Sequence, residues 1–175
     1  MIKKSLYDEL LLITDDYKRS FALVEYLFKN KKDKAGETYI NHLLRVSEKL
    51  SNPNTKIAGL LHDTVEDTEV TLEDLKSLNF NNEIIELVRL VTNEEESTPI
   101  TEKELVNKYH NKITKILESN NIEAIKLKYS DMSDNFNQER LNKLDEKTKN
   151  YLINKYKDEI IRLEEYLKER GEKLW

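Results

Sequence analysis

The sequence contains no cysteine. A disulfide framework, a thiolate zinc site and a cysteine nucleophile are thereby excluded, and any metal must be held by histidine, aspartate and glutamate. Proline and glycine are scarce too, two and three residues respectively in 175, so tight hairpin turns have few candidates and helices can run on. Long apolar runs are missing. None approaches the roughly 20 residues that a bilayer span needs, and the longest near the start, Leu10 to Ile13, is too short for a signal peptide. The expectation is a soluble, cytoplasmic protein with no membrane partner. Nor is positive charge in excess: 29 Lys and Arg against 34 Asp and Glu give a formal net charge of −5. That argues against broad nucleic-acid binding, which depends on neutralising many phosphates. A small anionic substrate stays open, because local field and any bound divalent metal decide what enters a cleft.

What the chain does contain suffices for one core. Residues of the AVILMFWYC set make up 38%, with nine Tyr and four Phe, and the length matches one domain over 1–175 at roughly 150 residues per domain. Apolar residues recur at helical spacing in Leu6, Leu10, Ile13, Tyr17, then Phe21, Val24, Leu27, and again in Tyr39, Leu43, Val46, Leu50. Asn54 or Thr55, after Pro53, is a candidate cap for a helix carrying Ile57, Leu60, Leu61 and Val65. Thr71 with Asp74 resembles a capping box, and Asn81 or Asn82 precedes Ile84, Leu87 and Val88. Thr92 to Thr101 reads as a flexible loop. Beyond it lie helical patterns through Leu105 to Ile116, Ile122 to Tyr129, and Leu152 to Leu167, the last with a charged, solvated outer face. The fold class expected is all-α.

Chemistry concentrates near two of the three histidines. In Gly59-Leu60-Leu61-His62-Asp63-Thr64-Val65-Glu66-Asp67, polar groups interrupt what begins as a buried helix, where such groups cost free energy unless paired or liganded. Spacing of four places His62 over Glu66 and Asp63 over Asp67 on one helix face. Three carboxylates so close repel one another unless a cation sits among them. Asp131 and Asn135, again four apart, form a second polar intrusion in an apolar segment. Imidazoles from His42 and His62 with carboxylates from Asp63 and Asp131 make a mixed nitrogen and oxygen set suited to manganese, iron, cobalt or zinc. His110 reads as a helix-surface residue.

The order His42, His62-Asp63, Asp131 resembles the H…HD…D signature of the HD phosphohydrolase superfamily. More narrowly, His62-Asp63-Thr64-Val65-Glu66-Asp67-Thr68 after Ala58-Gly59-Leu60-Leu61 is similar to the hydrolase domain of the RelA/SpoT alarmone enzymes. Gly36-Glu37-Thr38-Tyr39-Ile40-Asn41-His42 resembles that family's Gly-x-Pro-Tyr-Ile-x-His segment, and Lys126 to Asp131 its Lys-Leu-Ala-Asp segment with one residue inserted or a local change. The similarity runs over about residues 20–160.

The resemblance implies an HD-domain helical bundle and a stand-alone small alarmone hydrolase that removes the 3′-pyrophosphate of ppGpp or pppGpp, leaving GDP or GTP. It implies His42, His62, Asp63 and Asp131 as ligands of a divalent metal, manganese first, with Glu66 and Asp67 orienting or deprotonating the attacking water. Asn135 and Tyr151 match nucleotide-contacting positions, and Lys31, Lys32 and Lys34 resemble a basic segment that stacks on the base. Thr38 departs from the family's Pro, Met132-Ser133-Asp134 from its Arg-Leu-His, and Asn137 from a common Arg. Loss of those cations beside the metal weakens the expected grip on a polyphosphate. The competing readings are an HD phosphohydrolase acting on another nucleotide, including a nicotinamide dinucleotide phosphate, and a silent module that binds a nucleotide or protein.

Overall fold

The computed structural model describes residues 4–92 and 101–174. Among them the chain forms helices α1 (Lys4–Leu11), α2 (Asp16–Phe28), α3 (Tyr39–Glu48), α4 (Pro53–Leu61), α5 (Thr64–Asp67), α6 (Leu72–Ser77), α7 (Asn82–Val91), α8 (Glu102–Glu118), α9 (Ile122–Asn135), α10 (Gln138–Leu141) and α11 (Glu146–Glu169). No strand occurs among the described residues. A single antiparallel bridge, Lys32 to Thr38, closes the loop before α3.

Side chains that satisfy the first backbone N–H groups set most of the helix starts. Thr71 and Asp74 form the expected capping box of α6, and Asn81 accepts from Ile84 N to open α7. Two boundaries differ from the sequence reading. The apolar set Leu6, Leu10, Ile13, Tyr17 is broken after Leu11, because Asp15 accepts from Lys18 N at 2.8 Å and starts α2 before Tyr17, while Arg19 Nε donates to Ile13 O. The cap of α4 is Asn52, not Asn54 or Thr55: its side chain accepts from both of their N–H groups, and Pro53 takes the first helical position, where no N–H is needed. Thr101, at the end of the expected loop, caps α8 with Glu104; the rest of that loop, residues 93–100, lies outside the described residues.

Two apolar clusters result. The larger joins α1 to α4, α6 and α7 around Leu23, Val24, Leu43, Val46, Leu60, Leu61 and Val88. The smaller joins α8, α10 and α11 around Ile113, Leu141 and Leu163. Helix α9 belongs to both, giving Ala124 and Leu127 to the first and Ile125 and Met132 to the second. Its polar C-terminal half therefore emerges where the clusters meet, facing α3 and the end of α4. Gly59 permits the close approach of α4 to α3, since a Cβ there would lie 3.0 Å from Ser47 Cα and from Leu50 Cδ1.

Candidate active site

His42, on α3, and His62, the residue that ends α4, are both about 2% exposed. Each commits Nδ1 to a neighbour. His62 Nδ1 lies 2.8 Å from Gly59 O, so it carries the proton and donates to that carbonyl. His42 Nδ1 lies 2.7 Å from Asp134 Oδ2, and the Nδ1 proton is donated to the carboxylate. Both rings then present an unprotonated Nε2 in the neutral form, and their centroids are 5.4 Å apart. Fixing the tautomer through the far nitrogen is how metal-binding histidines are usually held.

Two carboxylates face these nitrogens. Asp63 Oδ2 lies 3.2 Å from His62 Nε2 and 3.7 Å from His42 Nε2. Asp131 Oδ1 lies 3.5 Å from His42 Nε2 and 3.7 Å from His62 Nε2. The helix is broken here, contrary to the single continuous face expected from the sequence: Thr64 Oγ1 donates to Leu61 O, and Asp63 sits at φ −95°, ψ −2° between α4 and α5. The break separates His62, which turns into the interior, from Glu66, which is exposed. Asp63 and Asp67 stay together, because both approach the Tyr39 hydroxyl, at 2.5 and 3.0 Å.

The electrostatics of the cluster suit a cation. Burial lowers the pKa of both imidazoles, yet Asp131 and Asp134 around His42, and Asp63 and Asp131 around His62, carry them above the usual histidine value. Burial likewise disfavours charge on the aspartates. His62 nonetheless holds Asp63 down at about 2, and Lys128 with the two histidines holds Asp131 well below the carboxylate range. Protons on the imidazoles thus stand where a divalent ion would serve both carboxylates. His62 Nε2 is buried without a hydrogen-bond partner, and His42, His62 and Asp63 offer donor atoms within 4.8 Å of one another. A buried imidazole nitrogen without a hydrogen-bond partner, facing two carboxylates, fits a metal.

The cluster opens into a cavity of about 290 Å³. Glu66, Asp67, Asn135, Lys32 and Lys34 are among the residues that line it. Asp67 Oδ2 also takes the Lys31 ammonium at 2.6 Å, and Asn135 Nδ2 donates to Asp131 Oδ1 at 2.7 Å. Tyr151 is set back from the wall and meets the Lys34 ammonium over its ring at 5.9 Å. His110 does not line this cavity and is paired with Glu159 at 2.6 Å between α8 and α11.

Four contributors were not singled out from the sequence. Tyr39 bridges two carboxylates; its hydrogen bonds become visible only once α3 and α5 are placed. Lys128 donates to Asp131 Oδ2 at 2.8 Å from three positions upstream. That spacing matches the family's Lys-Leu-Ala-Asp segment as Lys128-Tyr129-Ser130-Asp131, so no inserted residue is needed. Lys155 lies over Tyr109 at 4.3 Å, its pKa pushed down to about 8 by burial and by Lys128 and Lys34. Arg140, from α10, lines the cavity and pairs with Asp134. It returns a cation to the neighbourhood where Met132, Asp134 and Asn137 had removed the expected ones.

The model of the HD domain family matches residues 20–131. The chain belongs to this family, and His42, His62, Asp63 and Asp131 all fall within the match. Over 91 residues it is 38% identical to guanosine-3′,5′-bis(diphosphate) 3′-pyrophosphohydrolase MESH1 of Danio rerio, covering 49% of this chain and 49% of the relative. Human MESH1 is 36% identical over 91 residues, 49% of this chain and 50% of its own. A guanosine-3′,5′-bis(diphosphate) 3′-pyrophosphohydrolase of Aquifex aeolicus is 38% identical over 82 residues, 45% of this chain but 12% of its own. The matched part therefore spans about half the length of the MESH1 relatives and a small share of the long bacterial ones. A solved structure described as a metazoan ortholog of SpoT that hydrolyses ppGpp aligns over 98% of both chains with a TM-score of 0.56 and 22% identity, a likeness of fold. No helix among the described residues is long and apolar enough to cross a membrane.

Proposed function

We propose that the protein is a metal-dependent (p)ppGpp 3′-pyrophosphohydrolase, releasing pyrophosphate and GDP or GTP. The observation that carries this is the pair of buried imidazoles, each fixed through Nδ1 and each presenting Nε2 to the carboxylates of Asp63 and Asp131 at the head of a cation-lined cavity. The names of the MESH1 and Aquifex relatives supply the substrate. His42, His62, Asp63 and Asp131 hold the ion, manganese in the first instance. Bound there, it lowers the pKa of water and neutralises charge developing on phosphoryl oxygens.

The protein's own groups do the rest. Glu66, on the cavity wall, accepts the proton of the attacking water. Asp67, with one oxygen already held by Lys31 and Tyr39, orients that water rather than deprotonating it. The water oxygen bonds to the phosphorus attached at the ribose 3′ position, the bond from that phosphorus to the 3′ oxygen breaks, and the 3′ oxygen takes up a proton. Lys32, Lys34, Lys128, Lys155 and Arg140 neutralise the polyphosphate, Asn135 fixes Asp131 beside it, and Tyr151 backs Lys34 at the mouth.

The test is release of pyrophosphate and GDP from ppGpp by purified protein with manganese, beside Asp63→Ala and a panel including nicotinamide dinucleotide phosphates. Manganese-dependent turnover of ppGpp, absent in the variant, is expected. Turnover of another nucleotide alone would keep the metal site and discard the substrate; no turnover anywhere would leave a binding module.

A further inference from the structure

Arg140 touches both halves of the site at once. Its Nη2 lies 3.0 Å from Asp33 Oδ2 and its Nη1 pairs with Asp134 Oδ2, and the three side chains are only 11%, 3% and 4% exposed. Asp33 uses Oδ1 to accept from the backbone N–H groups of Ala35 and Glu37, at 2.9 Å each. Those bonds fold the loop that brings Lys31, Lys32 and Lys34 to the cavity, closed by Gly36 at φ +83°. Asp134, at the other end, holds Nδ1 of His42. An ion pair from Arg140 to Asp33, with the bonds of Asp134 to Arg140 and to His42, thus connects the loop backbone to a metal-facing imidazole.

We propose that Arg140 is a positioning residue that keeps the basic loop and the His42 ring in one register through the buried carboxylates of Asp33 and Asp134. The proposal rests on the assignment of His42 as a metal ligand. Burial of two carboxylates against one guanidinium makes the arrangement strict: without the arginine Asp33 is left in a dry site without its counter-charge, and Asp134 keeps only Arg45 and His42. Only a planar fork reaches both, so lysine is not an equivalent. A parallel outer tie supports the same two segments but does not reach Asp33. Arg45 bonds Asp134 Oδ1 at 2.6 Å and Glu37 Oε2 at 3.2 Å, and Lys143 holds Glu37 Oε1 at 2.6 Å, all nearer solvent.

The experiment compares Arg140→Met, Arg140→Lys, Asp33→Ala and Asp134→Asn in the full chain. Manganese affinity is measured by calorimetry, and hydrogen exchange is followed at the Ala35 and Glu37 amides. Arg140→Met is expected to weaken manganese binding about tenfold, the scale of outer-shell losses, and to speed loop exchange by a similar factor. Asp33→Ala should speed loop exchange with manganese affinity within about threefold of the parent, and Asp134→Asn should do the reverse. Arg140→Lys should recover one readout at most. If Arg140→Met leaves either readout within twofold of the parent, or speeds core amides of α2 as much as the loop, the coupling is overturned. Should Arg140→Met fail to fold, the opposite patterns of Asp33→Ala and Asp134→Asn decide, and their failure to separate overturns it equally. Neither readout involves a nucleotide, so an absence of ppGpp turnover would leave this result standing.

Discussion

Glu66 and Asp67 are adjacent in the chain but stand in different company, and that difference is testable. Asp67 is tied to Lys31 and Tyr39, whereas Glu66 reaches the wall shared with Lys128 and Lys155. Glu66→Gln should lower kcat by roughly 100-fold or more, the usual worth of a general base, with manganese affinity unchanged by calorimetry. Asp67→Asn should cost less in kcat and more in KM, because Lys31 loses its partner. Lys155 makes a second residue-scale prediction. Burial, Lys128 and Lys34 press its pKa down to about 8, against support from Asp131 and Glu66, with Tyr109 and Tyr156 beneath it. The unfolded chain keeps that proton to about pH 10.4. Between these values the unfolded state binds more protons, so this residue's contribution to stability rises with pH, and below 8 the buried ammonium weighs fully against the fold. Lys155→Met should therefore raise the melting temperature at pH 7 by roughly 3–6 °C, on about 1–2 kcal/mol, while raising KM. The parent's KM should climb above pH 8 and the variant's should not.

Element by element, the helices were legible because their evidence is local. A capping box such as Thr71 with Asp74, or the apolar stripe from Tyr39 to Leu50, lies within one turn or one face. Breaks were less legible. Asp15 and Asn52 cap helices inside or just before an apolar pattern that, read alone, continues, and the stop after Leu61 depends on Thr64 and His62 bonding back to carbonyls. The clustered residues His42, His62, Asp63 and Asp131 could be proposed from spacing and resemblance. Asp134, Arg140 and Lys155 could not, because their roles arise only when α3, α9, α10 and α11 converge. The contact of α3 with α4 is the element-scale constraint most open to test. Gly59→Ala places a Cβ 3.0 Å from Ser47 Cα, and backbone cannot move aside as a flexible side chain does. Overpacking of this kind costs about 1–3 kcal/mol, and separating α3 from α4 also separates His42 from His62. Denaturant melts should show the stability loss, and calorimetry should show weaker manganese binding than in the parent.

At the scale of the whole molecule, a net charge of −5 coexists with a cavity to which lysines and an arginine converge, so the site's field is set locally and not by the overall balance. The same convergence links the cation to stability. The facing groups come from α3, the end of α4, the turn before α5 and α9, and α9 is the helix shared by both apolar clusters. An ion held there bridges elements of the larger cluster to the helix on which the smaller one is built. It also relieves the crowding of Asp63 and Asp131 without requiring protons on His42 and His62. Any ion that binds the native state alone stabilises it by about 2.7 kcal/mol at 100 times its Kd, which for a chain of this size is on the order of 5–10 °C. Manganese added to chelator-treated protein should therefore raise the melting temperature by that amount. Helical circular dichroism and the near-ultraviolet signal of the tyrosines should shift together, because α9 couples the clusters. Asp63→Ala should abolish the shift while melting near the metal-free parent. A shift that persists in that variant would place the stabilising ion elsewhere, and two separated transitions would show that the clusters unfold independently despite the helix they share.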